Sequence, residues 1–195
     1  MKFDILTLGD YSVNCYLVWD EQSMRCAIVD PGYRPDVISA KLDALGLSPA
    51  MILLTHAHFD HVGAVGALRE KYRIPVYVHE AELELPAHLT DGPIPCTAFY
   101  RDGDSVSLDG LTFRVLHTPG HTPGSVCLIC DGSIFSGDTL FAGVCGRTDM
   151  EGGNMFQMIG SLRKLRALDG DFAVYPGHGP ATTLSYERKN NLYMR

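Results

Sequence analysis

Apolar positions fall in short alternating or β-branched runs, broken at frequent intervals by glycine, proline and aspartate. Residues 3–8, 13–19 and 25–29 follow this pattern and predict three strands separated by turns. Pro35 stands where a first-turn proline opens a helix, and Gly46 stands where one closes. Met51-Ile52-Leu53-Leu54 is wholly apolar, as expected of a strand buried on both faces. Val62, Val65, Leu68 and Tyr72 then recur near helical spacing, and Pro75 to His79 reads as another strand. Asp109-Gly110 and Asp131-Gly132 each separate two strand-like runs, the strongest short signal for a hairpin. Met155, Met158, Ile159, Leu162 and Leu165 mark the core stripe of a helix ending near Gly170. Ala173-Val174-Tyr175 predicts a last strand, and residues 182–193 a final helix. Strands arranged both in hairpins and in αβ alternation imply mixed sheets with helices outside, a layered α/β sandwich.

Length and composition narrow this picture. The 195 residues suit one domain, 1–195, large enough to bury a core without staples. The apolar fraction of 46% and charged fraction of 20% exclude disordered, collagen-like and coiled-coil chains. No apolar run approaches the roughly 20 residues of a membrane span, so no membrane partner is expected. The N-terminus lacks a basic segment followed by an apolar one, so no signal peptide is expected either. A net charge of −7 argues against a nucleic-acid partner, which usually meets a basic face. The six cysteines form no framework, and with the missing signal this points to a reducing cytoplasm. Cys127 and Cys130 form a CxxC, but inside a predicted strand. Residues three apart on a strand face opposite ways, so a structural role is expected for both.

The chemistry is concentrated in Thr55-His56-Ala57-His58-Phe59-Asp60-His61. Three histidines and an aspartate follow a buried strand and precede a helix, and a loop at a strand's end lets side chains converge. Imidazole and carboxylate are the usual ligands of zinc and similar divalent metals. His56 and His58 alternate along extended backbone and can reach one ion, while Asp60 and His61 can address a second position. Three later residues strengthen the pattern. His121 lies in the tight loop Thr118-Pro-Gly-His-Thr-Pro-Gly124 after strand 111–117. Asp138 follows strand 133–136, and His178 lies in Pro176-Gly-His-Gly179 after strand 173–175. Flanking glycines allow close backbone approach. Seven candidate metal ligands result: His56, His58, Asp60, His61, His121, Asp138 and His178.

HxHxDH followed by a histidine, an aspartate and a last histidine at long spacings resembles the metallo-β-lactamase-fold hydrolases. The resemblance runs from about Tyr11 to His178. Phe135-Ser-Gly-Asp-Thr-Leu-Phe-Ala-Gly143 and Cys145-Gly-Arg-Thr-Asp149 are similar to the glyoxalase II group, which hydrolyses S-acyl glutathione thioesters such as S-lactoylglutathione. The resemblance implies a four-layer αββα sandwich with two mixed β-sheets. It implies two divalent metal ions, zinc first, with iron or manganese as alternatives. His56, His58 and His121 would bind one ion, Asp60, His61 and His178 the other, and Asp138 would bridge them. A hydroxide shared by both ions would attack the thioester carbonyl, with Asp60 as the catalytic group that orients it and takes its proton. The partner implied is a small-molecule acyl thioester.

About 17 residues follow His178, too few for the helical domain with which long glyoxalase II proteins grip glutathione. The short bacterial glyoxalase II-like proteins are therefore the closer resemblance. Arg147, and with it Arg101, could meet a substrate carboxylate. Tyr11 and Asn14 are pocket candidates, while His79 and His117 read as supporting or structural and His88 as an exposed loop residue. The nearest alternative is a persulfide dioxygenase holding one iron on His56, His121 and Asp138. A lactonase or phosphodiesterase of the same fold is a further alternative.

Overall fold

The alternating N-terminal segments pair as a meander in the computed structural model, which describes residues 1–195. Strands β1 (Lys2–Leu8), β2 (Val13–Trp19) and β3 (Arg25–Val29) pair antiparallel in succession. Helix α1 (Pro35–Leu45) then crosses over to β4 (Ser48–Leu53), which pairs parallel with β3. Gly46 ends α1 in the left-handed conformation at φ 66°, a geometry that favours glycine. Strands β5 (Val76–His79) and β6 (Ala98–Tyr100), with the short helix α4 (Ala87–Thr90) between them, extend the same parallel array and complete a six-stranded sheet.

The second sheet is also six-stranded. Strands β7 (Ser105–Leu108), β8 (Leu111–His117), β9 (Val126–Cys130) and β10 (Ser133–Gly137) form successive hairpins. Asp109 and Asp131 turn two of them with positive φ, as their Asp-Gly pairs predict. Crossover through α5 (Met155–Arg166) brings β11 (Ala173–Pro176) parallel to β10, and β12 (Thr182–Thr183) closes the edge.

Side-chain alternation divides the interior into three apolar layers. Tyr16, Val18, Val29, Leu53, Phe113 and Phe135 fill the space between the sheets. Leu17, Trp19 and Ile28 point the other way, onto α1 and the helix after the histidine cluster. Ile134 and Val174 pack outward against Met158, Leu162 and Leu165 of α5. The result is the αββα sandwich expected from the sequence. The two thiols of the CxxC diverge: Cys130 joins the layer between the sheets and Cys127 the layer beneath α5. All six cysteines are free thiols. No helix is long and apolar enough to cross a membrane.

Three expectations need correction. The helix after the histidines is broken into α2 (Phe59–Val62) and α3 (Val65–Tyr72), because the Ala64 N–H donates to the Pro31 carbonyl at 2.9 Å and leaves the helical ladder. Helix α5 stops at Arg166, where the Arg188 guanidinium donates to the carbonyls of Arg166, Leu168 and Gly170. The final helix is α6 (Leu184–Asn190), shorter than 182–193, because Thr182 and Thr183 pair with β11. Thr183 then caps α6 by accepting from the Tyr186 N–H at 3.2 Å.

Candidate metal centre

Strands β3 and β4 run in one direction in the first sheet, and β8, β10 and β11 share a direction in the second. Their C-terminal loops gather at one edge of the sandwich, and the seven candidate side chains meet there. Backbone bonds tie the sheets together at this edge: Val126 N–H donates to Thr55 at 2.8 Å, and Asn14 N–H to Gly177 at 2.8 Å.

The side chains converge as two groups. Potential donor atoms of His56, His58 and His121 lie within 4.8 Å of one another, and so do those of Asp60, His61 and His178. His58 Nδ1 stands 2.8 Å from His121 Nε2, and His61 Nε2 stands 3.3 Å from His178 Nε2. Asp138 lies between the groups. Its Oδ1 is 3.5 Å from His61 Nε2, and its Oδ2 is 3.5 Å from His121 Nε2 and 3.6 Å from His178 Nε2. Gly177 makes the approach possible, since a Cβ there would fall 2.3 Å from Asp138 Oδ1.

Supporting hydrogen bonds fix the rings. His61 Nδ1 donates to Asp30 Oδ2 at 3.1 Å, His121 Nδ1 to the Arg147 carbonyl at 2.8 Å, and His178 Nδ1 to the Tyr11 carbonyl at 2.9 Å. Each bond occupies Nδ1 and turns Nε2 into the centre, the arrangement metal-binding histidines adopt. His56 Nε2, His58 Nε2 and Asp138 Oδ1 are buried without any hydrogen-bond partner. Buried polar atoms are normally satisfied, and orphans of ligand type at one spot fit a metal centre. A carboxylate whose oxygens lie within 3.6 Å of rings from both groups also has the chemistry to bridge two ions.

Electrostatics separate the two groups. Burial, reinforced by neighbouring imidazoles, pushes His56 well below its ordinary range and His58 down to about 3. Burial lowers His121 as well. These three rings are neutral and ready to ligate near pH 7. For His61 burial acts downward too, but the carboxylates of Asp138, Asp30 and Asp60 outweigh it and lift the ring to about 9. Burial works to raise Asp60, yet the hydrogen bond from His178 and the charge of His61 hold its carboxyl below the usual range. At pH 7 His61 is therefore protonated in the metal-free protein, and an ion must displace that proton. Ion uptake at pH 7 is expected to release a proton, and affinity to climb as pH rises toward 9. Calorimetry in two buffers of different ionisation enthalpy checks this, and equal heats in both would contradict it.

A cleft of about 330 Å³ opens over the centre, lined by five of the seven side chains together with Tyr11, Phe59, Arg147 and Met150. Tyr11 packs edge-on to Phe59 at 5.3 Å between centroids. Arg147 stands exposed at the mouth in a two-point pair with Asp149, at 2.7 and 2.9 Å. Asn14 sits beneath the cleft rather than in it: its Nδ2 donates to the Pro176 and Gly179 carbonyls at 3.1 and 3.0 Å and holds the His178 loop. Arg101 does not line the cleft. His79 and His117 stack on each other at 4.2 Å, and exposed His88 lies 4.0 Å from Glu151.

Asp30, which holds the His61 ring, is missed by sequence reasoning. It is buried, follows β3, and accepts from the Thr55 N–H at 2.7 Å and the Thr55 hydroxyl at 2.6 Å as well as from His61. The available signal was an acid at a strand's end before Pro31-Gly32, the same placement as Asp138.

The chain resembles known proteins along nearly its whole length. The family model described as the metallo-beta-lactamase superfamily matches residues 8–178. Hydroxyacylglutathione hydrolase GloC of Haemophilus influenzae is 32% identical over 209 residues, covering 100% of this chain and 98% of its own. The crystal structure of the B3 metallo-beta-lactamase BLEG-1 superposes with a TM-score of 0.91 at 36% identity, covering 99% of each chain. TTHA1623, solved in a di-iron-bound form, superposes with a TM-score of 0.86 at 39% identity, covering 97% of this chain and 99% of its own. The chain is a member of the metallo-beta-lactamase superfamily, with a His/Asp centre able to bind metal.

Proposed function

We propose that the protein is a metal-dependent thioesterase of the glyoxalase II type, with two divalent ions at the His/Asp centre and an acyl thioester as substrate. The observation that carries the reading is Asp138 standing between two complete three-residue sets. The resemblance to GloC, named a hydroxyacylglutathione hydrolase, supports the substrate class. The di-iron form of TTHA1623 supports a two-metal occupancy in this kind of site, with zinc, iron and manganese all accepting such ligands. Two ions bound there would lower the pKa of a shared water and polarise the thioester carbonyl.

The chain's own groups do the rest. Asp60, held ionised, accepts a hydrogen bond from the attacking water and takes its proton. Tyr11, Phe59 and Met150 form the apolar side of the cleft and face the acyl or thiol chain. Arg147 can exchange Asp149 for a substrate carboxylate, keeping a two-point contact. A thiol of pKa about 8.5 leaves as thiolate with little acid assistance, so no general acid is required of this site.

The test is metal content together with turnover, on protein purified without added metal. About two equivalents per chain and hydrolysis of S-lactoylglutathione or a related acyl thioester are expected. Assays with a lactone, a phosphodiester and a β-lactam complete the panel. About one equivalent of iron with oxygen uptake on glutathione persulfide would overturn the reading. That mononuclear chemistry needs only three of the seven side chains and leaves the convergence of Asp60, His61 and His178 without a role.

A further inference from the structure

Glu82 is a buried acid with no part in the chemistry above. It lies in the 3-10 turn Glu80–Glu84 after β5, with 0% of its surface exposed. Burying a carboxylate is costly unless strong hydrogen bonds compensate. Its two oxygens are used on two different loops. Oε2 accepts from the Ala57 N–H at 2.6 Å, and Oε1 accepts from the Gly124 N–H at 2.7 Å. Ala57 separates His56 from His58 after β4 of the first sheet. Gly124 closes the loop that carries His121 after β8 of the second sheet. One carboxylate therefore spans the two loops that bring His56, His58 and His121 together. The fit is close: a Cβ on Gly124 would lie 2.7 Å from Oε1.

The geometry points to Glu82 as a positioning residue for the three-histidine set, fixing the separation of its two loops across the sheets so that their nitrogens converge on one ion. The inference rests on reading that set as one half of a two-metal centre. Asp60, His61 and His178 receive nothing from Glu82, since Asp30 and the Tyr11 carbonyl hold the rings of that set. The effect of losing Glu82 is therefore confined to one set, which a merely structural role would not produce.

The experiment is a cobalt(II) titration of wild type and Glu82→Gln, read by ligand-field absorption and by competition with a chromophoric chelator. Glutamine keeps the volume and one acceptor but turns an NH2 toward the other N–H. The step lost in His58→Ala identifies the three-histidine set. In Glu82→Gln that step is expected to weaken about 10–100-fold, with a changed spectrum, while the other step stays at the wild-type value. No change in either step, or equal weakening of both, overturns the inference. Wild type that takes up cobalt in a single step defeats the two-metal reading instead, and Glu82→Gln still decides the positioning role on that step. A wild-type measurement covers the case of a variant that does not fold. The Ala57 and Gly124 amide protons are expected far downfield in an NMR spectrum of wild-type protein, as bonds to a carboxylate demand, and ordinary shifts for both overturn the inference.

Discussion

Asp138→Ala is expected to strip metal from the whole centre and to lower thioester turnover by more than about 100-fold, beyond the cost of losing a supporting partner. The reason is geometric. Asp138 is the one side chain with an oxygen toward His61 and another toward His121 and His178. Its removal takes one charge and one ligand from both sets at once, and leaves five imidazoles with less anionic compensation. The remaining carboxylate in the cleft, Asp60, lies 3.4 Å from His178 and belongs to a single set. Elemental analysis of the purified variant checks the metal content, and steady-state assay the turnover. Retention of near two equivalents would refute the bridging position, even if activity were lost.

The second large effect belongs to a residue outside the seven. Asp30→Ala is expected to cost about 3 kcal/mol of stability, since it leaves buried donors of Thr55 and His61 without an acceptor, at about 1–3 kcal/mol each. In a chain of this size that corresponds to a fall in Tm of about 6–12 °C. The variant is also expected to bind metal at the Asp60, His61 and His178 set about 10–100-fold more weakly. Without Asp30, nothing holds the proton of His61 on Nδ1. Thermal unfolding of the metal-free protein separates the stability loss from the metal effect. A wild-type Tm together with wild-type affinity would show that Thr55 and His61 find other partners.

Much of the fold was legible because its signals are local. β2 and β9 are buried along their whole length, and their apolar runs announce it. The Asp-Gly pairs set two hairpins in place, and Pro35 and Gly46 bracket α1 as their backbone preferences require. The helix boundaries that went astray were decided by groups distant in the chain. Pro31 draws the Ala64 N–H out of the helix after the histidines, Arg188 takes the last carbonyl of α5 and two beyond it, and β11 takes Thr182 and Thr183 into the sheet. The three-residue strand β6 and the short turns around Glu80–Glu84 and Ala87–Thr90 are too brief to carry a period.

The candidate centre divides the same way. The sequence by itself determined the side chains with ligand chemistry, because each is an imidazole or carboxylate at a strand's end, next to glycine or in the dense run His56–His61. It also determined the layer architecture, through alternation and turn chemistry. Only the tertiary structure decided which nitrogen of each ring faces inward, since His61, His121 and His178 take that orientation from Asp30, Arg147 and Tyr11. It alone disclosed Asp30 and Glu82, whose partners lie 25 residues or more away in the chain. It also moved Asn14 from the cleft to the support of the His178 loop. A local pattern records what one segment can do on its own. A buried carboxylate joining two loops has no pattern of that kind, because its energy comes from donors that only the folded chain brings within 3 Å.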